Sequence, residues 1–218
     1  MSIISTINGL KPEIIQKVSA ELHKLKGELD DYEIAWKQLQ DISAKVIIKI
    51  LTEKLPDTCT LSSPKSKSTY PDIKIETPEG NYAIDIKGNE SSKNPWFDMA
   101  RIDTLEKERL DKYIEEWELV IKYDSETKEF LKAYFLLFRE AVGIRTECNG
   151  IKYRPYDGKV RPKTWDDFEN EKIYWNTKEE FKTGLKNSIV HRWLSNIKTH
   201  LVPNLTDEQK QQFKDLFD

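Results

Sequence analysis

Residues 70–88 read Tyr70-Pro-Asp-Ile-Lys-Ile-Glu-Thr-Pro-Glu-Gly-Asn-Tyr-Ala-Ile-Asp-Ile-Lys-Gly88. Apolar and polar residues alternate on both sides of Pro78-Glu79-Gly80, which has the composition of a tight turn. The stretch therefore predicts a β-hairpin. With Thr77 facing Gly80, Ile73 faces Ile84 and Ile75 faces Tyr82. Together with Ile86 they form one apolar face. Asp72, Lys74, Glu76, Asp85 and Lys87 occupy the other, and Asp72 faces Asp85.

Opposed residues of an antiparallel pair have Cβ atoms roughly 4.5–5.5 Å apart. Two carboxylates that close repel each other unless a cation lies between them. Mg²⁺ suits such a pair, because it takes one or two carboxylates and completes its shell with water and phosphate oxygens. Lys87 projects from the same face as Asp85, where an ammonium can polarise a water or hold a phosphate. That combination describes a metal-assisted phosphodiester-hydrolysis site. The structural alternative is a solvated strand face on which Lys74 neutralises the acids, or a register slipped by one residue.

Upstream, Pro12 opens a helical pattern with Ile15, Val18, Leu22, Leu25 and Leu29 at three- and four-residue steps. Asp30 or Asp31 can cap a second helix running to about Lys54, with Ala35, Leu39, Ile42, Val46 and Ile50 as its stripe and Pro56 as its stop. Residues 57–70 read as a loop. Downstream, residues 103–117 have a helical pattern, and Leu119–Tyr123 and Ala133–Phe138 suit strands. Residues 148–170 read as a loop. Thr177 with Glu180 forms a capping box for a helix whose stripe runs Phe181, Leu185, Ile189, Trp193, Ile197 and Leu201, ending at Pro203. Thr206 and Gln209 cap a short last helix. Helices before and after a central mixed sheet predict an α/β (α+β) sandwich built around the hairpin. We read residues 1–218 as one domain: a helical part at 1–56, a sheet core at 57–140, and a loop with C-terminal helices at 141–218.

The length of 218 residues allows a sizeable core. Six Trp, nine Tyr and eight Phe argue against disorder. The net charge of −3 counts against a generally basic nucleic-acid binder. Phosphate attraction needs only a local basic surface, however, and an acidic site lowers the total. No apolar run is long enough to span a membrane, and the N-terminus lacks the pattern of a signal peptide. Cys59 and Cys148 give no disulfide framework, and His23, His191 and His200 are too scattered for a metal cluster. A reducing cytoplasm is expected.

The clearest basic run is Lys152-Tyr-Arg-Pro-Tyr-Asp-Gly-Lys-Val-Arg-Pro-Lys163. Lys152, Tyr153, Arg154, Lys159, Arg161 and Lys163 are candidates for phosphate contact or base reading, with Asn149 at the tip of a preceding turn. The alternative is an ordinary solvated loop. Asn89, two residues past Lys87, is placed either to touch the phosphate near the cut or to make a turn. Trp96, Trp165 and Trp175 read as packing residues.

Tyr-Pro-Asp at 70–72 followed by Ala-Ile-Asp-Ile-Lys at 83–87 resembles the PD-(D/E)xK nuclease signature, with flanks similar to the EcoRV-like type II restriction endonucleases. Residues 41–54 resemble the helix before the catalytic hairpin, 110–117 the entry to the next core strand, and 178–181 a late acidic helix start. The resemblance implies a restriction-endonuclease-like fold. It implies Asp72 and Asp85 as ligands of Mg²⁺, with Mn²⁺ as a substitute, the main-chain carbonyl of Ile86 as a further ligand, and Lys87 beside the attacking water. Asp41 falls where the family has a helical Glu that supports a second metal position. Asp is one methylene shorter, and a solvated residue paired with Lys45 is the alternative. The loop carrying Lys65, Lys67 and Thr69 matches one that approaches DNA in the family. It reads equally as a flexible Ser/Lys loop. Also implied are double-stranded DNA as substrate, blunt ends with 5′-phosphates, a bacterial host and a cognate DNA methyltransferase. A palindromic DNA site matches a two-fold protein, so a homodimer is expected.

Overall fold

The computed structural model describes residues 2–25, 32–63 and 70–215. Leu29, Asp30, Asp31, Lys65, Lys67 and Thr69 lie outside the described residues. Two helices come first, α1 (Ile3–Gly9) and α2 (Lys11–His23). Ser2 caps α1 through its side chain, and Pro12 stands in the first turn of α2, where a missing N–H is harmless. The buried stripe of α2 is Ile14, Val18 and Leu22, so Ile14 rather than Ile15 points fully inward. α3 (Tyr32–Lys54) buries Leu39, Ser43, Ile47, Ile50 and Leu51.

Five strands follow: β1 (Thr60–Ser62), β2 (Ile73–Thr77), β3 (Gly80–Glu90), β4 (Glu115–Asp124) and β5 (Glu129–Leu137). They form one mixed sheet in that order, antiparallel except for the parallel pair β3–β4. The hairpin register is the expected one, with Ile73 opposite Ile84, Ile75 opposite Tyr82 and Thr77 opposite Gly80.

Two expectations about the region of the sheet need correction. The stretch after Pro56, read as a loop, contains β1, which pairs with β2 along Thr60–Ser62. The helical pattern at 103–117 yields only one wide turn at Glu106–Leu110, and the chain is already a strand at Glu115. Glu, Lys, Arg and Leu favour a helix intrinsically. Here pairing of Glu115 with Tyr82 and of Trp117 with Ile84 prevails, because it buries Trp117.

The sheet has a core on each face. One face, with Ile73, Ile75, Ile84, Ile86, Trp117, Leu119 and Ile121, packs against α2 and α3. The opposite face holds Val120. It is covered by the second core, which contains Ile102, Leu105, Phe138 of the short α4 (Phe138–Ala141), and Phe181 and Leu185 of a later helix. Each fully buried Ile or Leu contributes about 1.5–3 kcal/mol. β3 therefore lies between two layers, and its second face is not the solvated one that alternation alone suggests.

Beyond α4 the chain makes a two-stranded ribbon, β6 (Ile144–Arg145) with β7 (Gly150–Ile151), and then α5 (Trp165–Glu169) inside the stretch read as loop. α6 (Lys178–Asn196) starts at the expected capping box: Thr177 accepts from the Glu180 amide at 3.1 Å, and Glu180 accepts from the Thr177 amide at 3.2 Å. Its buried side is Phe181, Gly184, Leu185 and Ser188; past Ile189 the stripe residues Trp193 and Leu201 are exposed. α7 (Asp207–Asp215) follows. Among the described residues, no helix is long and apolar enough to cross a membrane.

Candidate active site

The β2–β3 ladder stops at Ile73, while β3 continues to Glu90 alongside β4. In an extended strand a residue's N–H and C=O point to the same side. Past the end of β2, the Ile86 amide thus faces the edge that β2 has left. Asp72, the residue before β2, takes it: Oδ2 accepts from the Ile86 N–H at 2.7 Å. The other oxygen of Asp72 accepts from the side-chain amide of Gln40 on α3. Asp72 is thereby held beside Asp85 without belonging to the ladder, and the carbonyl of Ile86 lies on the same edge.

Asp85 is buried, and the ammonium of Lys87 stands 2.8 Å from its Oδ2. Burial and the charge of Asp85 push the Asp72 carboxyl up to about 7. Burial acts to raise Asp85 too, but Lys87 and Arg109 outweigh it and hold that carboxyl below its ordinary value. Lys87 moves upward: burial opposes its charge, and Asp85 and Glu118 more than restore it. At neutral pH Lys87 is an ammonium, a donor and not a base.

Several residues at this site escaped the sequence reading. Glu118 is the β4 neighbour of Asp85 in the parallel register. It is fully buried, its Oε2 has no hydrogen-bond partner, and burial together with Asp85 raises it to about 8. Arg109 donates to Glu116 at 2.7 Å, to the Met99 carbonyl at 2.7 Å and to Glu118 at 3.2 Å. Its guanidinium is sandwiched between the rings of Tyr70 and Phe138, each 3.9 Å away. Tyr70 donates to Glu116. The signal was Glu116-x-Glu118 around Trp117, just before the apolar run Leu119–Ile121, which the helical reading of 103–117 concealed. Asp41 is exposed on α3 and lines, with Gln40, Lys45, Ser63 and Asp72, a cleft of about 200 Å³.

The basic run lies largely inward. Tyr153, Arg161 and Lys163 are buried. Tyr153 shares a hydrogen bond with His191 at 2.8 Å, and Lys163 donates to the Lys172 carbonyl at 2.7 Å. Arg154 pairs with Asp157, and Lys159 and Arg161 pair with Asp98. Lys152 is half-buried, and burial lowers its pKa. The run is a compact β-bridged loop rather than an open basic patch, because Tyr153 pairs with Val160 and closes it. Asn149 is exposed at its expected turn, in the left-handed region (φ 46°). Asn89 is half-buried, with its side-chain carbonyl accepting from the Trp96 amide at 2.9 Å. Of the three tryptophans read as packing residues, Trp165 and Trp175 are buried but Trp96 is 57% exposed.

No known family profile matches the chain, and no curated protein is similar to it in sequence. Among solved structures it is similar to the NlaIV restriction endonuclease, with a TM-score of 0.51 over 74% of this chain and 66% of that one. The fold is restriction-endonuclease-like. Sequence identity in that comparison is 14%, and the match spans just under two thirds of the NlaIV chain.

Among the described residues, no three or more Asp, Glu, His or Cys side chains form a ready-made cation cage. Two crowded carboxylates and a main-chain carbonyl are nonetheless the hard oxygen set from which Mg²⁺ binds when water and phosphate complete its shell. Burial and the neighbouring charge of Asp85 both push the Asp72 carboxyl up, and a cation bound between the two would offset that penalty. The residues fit.

Proposed function

We propose that this protein is a Mg²⁺-dependent endonuclease that cuts double-stranded DNA at a short specific site. The observation that carries the reading is the convergence of Asp72, Asp85 and Lys87 where β2 leaves β3. The restriction-endonuclease-like fold supports it. Asp72, Asp85 and the Ile86 carbonyl would hold the metal, which when bound supplies Lewis acidity and a water of lowered pKa. Gln40 orients Asp72, and the Ile86 amide fixes its second oxygen. Lys87, a charged donor beside Asp85, is placed to stabilise the negative charge that develops on the phosphate. Mn²⁺ is expected to substitute for Mg²⁺.

Resemblance to the EcoRV-like branch supports a homodimer, blunt ends with 5′-phosphates and a partner methyltransferase in a bacterial host. Incubation with long mixed-sequence DNA and Mg²⁺ tests the reading. Discrete fragments are expected. A smear would mark a less specific repair or recombination nuclease. Intact DNA with both Mg²⁺ and Mn²⁺ would refute catalysis and leave a DNA-binding protein with a disused hairpin.

A further inference from the structure

Trp96 is a large exposed aromatic whose surroundings hold it in place. Its amide donates to Asn89 Oδ1 at 2.9 Å, and its carbonyl accepts from Arg161 Nη1 at 2.6 Å. The Arg161 guanidinium also lies over the indole ring, 4.2 Å from its centroid. Arg161 is itself 1% exposed and is fixed by Asp98 at 2.6 Å. Its Nε and Nη2 have no hydrogen-bond partner. Burying a partly unpaired guanidinium is costly, and here it braces a side chain that mostly faces solvent. A second exposed aromatic, Tyr156, also has an arginine over its ring: Arg154 lies 4.5 Å from its centroid and 3.8 Å from Asp98.

The placement of Trp96 is equally specific. Asp85, Lys87 and Asn89 alternate along one face of β3. Asn89 is two residues beyond Lys87, roughly 6.5 Å along the strand, or about two base steps of a DNA strand. A single exposed apolar residue needs no special explanation. One pinned at both backbone groups, braced by a buried arginine and tied to the active-site strand does.

We propose that Trp96 is a base-contacting residue that stacks on or wedges between nucleobases one or two steps from the phosphate being cut, with Asn89, Arg161 and Asp98 as its scaffold. This rests on the endonuclease reading and adds a DNA-distorting contact to it. Aromatic stacking on a base is sequence-tolerant, and insertion at a base step kinks the duplex.

The test uses the full chain and mixed-sequence duplex DNA with Ca²⁺ in place of Mg²⁺, so that binding is read without cutting. The wild type, Trp96→Ala and Trp96→Tyr are compared by anisotropy and by tryptophan fluorescence. Trp96→Ala is expected to bind about tenfold more weakly, and Trp96→Tyr close to the wild type. Both variants should lose the DNA-induced quench of the wild type. Equal affinity of all three with an unchanged quench would overturn the inference and leave the endonuclease reading standing. Absence of duplex binding by the wild type would overturn both. Should Trp96→Ala melt early, the quench in Trp96→Tyr decides: its persistence refutes stacking by Trp96, and its loss supports it.

Discussion

Asp72 stands outside the β2 ladder, yet its Oδ2 accepts the Ile86 amide of β3 at 2.7 Å. A carboxylate replaces the strand that has peeled away and is fixed beside Asp85. The hairpin thus ends in an acid pair rather than in frayed backbone, and four predictions follow from that arrangement and its supports.

The acid pair should make metal-free stability fall as pH rises. In the unfolded chain an Asp titrates near ~3.9, whereas burial and Asp85 push Asp72 up to about 7. Between those values the folded chain holds a proton that the unfolded chain has lost, so stability declines with rising pH. Glu118, raised to about 8 by burial and Asp85, extends the decline. Asp85 is lowered, so its contribution is present at neutrality and is lost only in acid. In EDTA, Tm should drop between pH 5 and 8, and Mg²⁺ should raise Tm more at pH 8 than at pH 5.5, because cation and proton compete for Asp72. A pH-independent metal effect would contradict the proposed ligand set.

Lys87→Ala should abolish cutting while leaving DNA binding measurable. An ammonium already charged at neutral pH serves as a donor, and loss of such a charge-stabilising donor lowers rates by about 10²–10³. The same change strands the buried Asp85. Breaking a buried pair costs about 3–5 kcal/mol, and the partial exposure of Lys87, 24%, places the expected loss below that range. Single-turnover cleavage and urea denaturation separate the two effects. Undiminished cutting would end the proposed mechanism. Asp72→Ala should likewise lose metal-dependent activity.

Gln40, the unforeseen neighbour of Asp41, should matter to metal affinity. It orients Asp72 from α3, and removing such an outer support typically weakens a metal site about 10–100-fold. Gln40→Ala is therefore expected to weaken Mg²⁺ binding by about tenfold, read by calorimetry. Asp41 lines the same cleft. If Asp41→Ala keeps full activity and Mg²⁺ affinity, Asp41 has no part in a second metal position.

The hairpin was legible because a period of two, one turn signature and one apolar face favoured one register over a slip by one residue, and the Ile73–Ile84 pairing is that register. The capping box at Thr177 and Glu180 was legible for a local reason as well. What could not be read was set by distant partners. Glu118 gains its meaning from the parallel neighbour Asp85, whose position depends on a crossover that local pattern does not encode. Arg161 and Lys163 look like a surface patch in sequence but are buried, because Asp98 and the Lys172 carbonyl neutralise or bond them from elsewhere. Trp96 was misread in the opposite direction, since nothing in its neighbours foretold that Arg161 would brace it from below.

Arg109 should prove to be the support of the whole acid cluster. It bonds Glu116 and Glu118 and stacks on Tyr70, two residues before Asp72. Arg109→Met keeps much of the volume but takes the cation from buried Glu116 and the hydrogen-bond donor from buried Glu118, which should cost about 3–5 kcal/mol. Adding Glu116→Gln and Glu118→Gln removes the carboxyl groups left without Arg109 and should recover most of the loss, measured by urea denaturation. Recovery of stability should not restore cutting, because Tyr70 would still lack the guanidinium that fixes the approach to Asp72. If the triple variant is stable and cuts at the wild-type rate, Arg109 holds the fold but does not position the site.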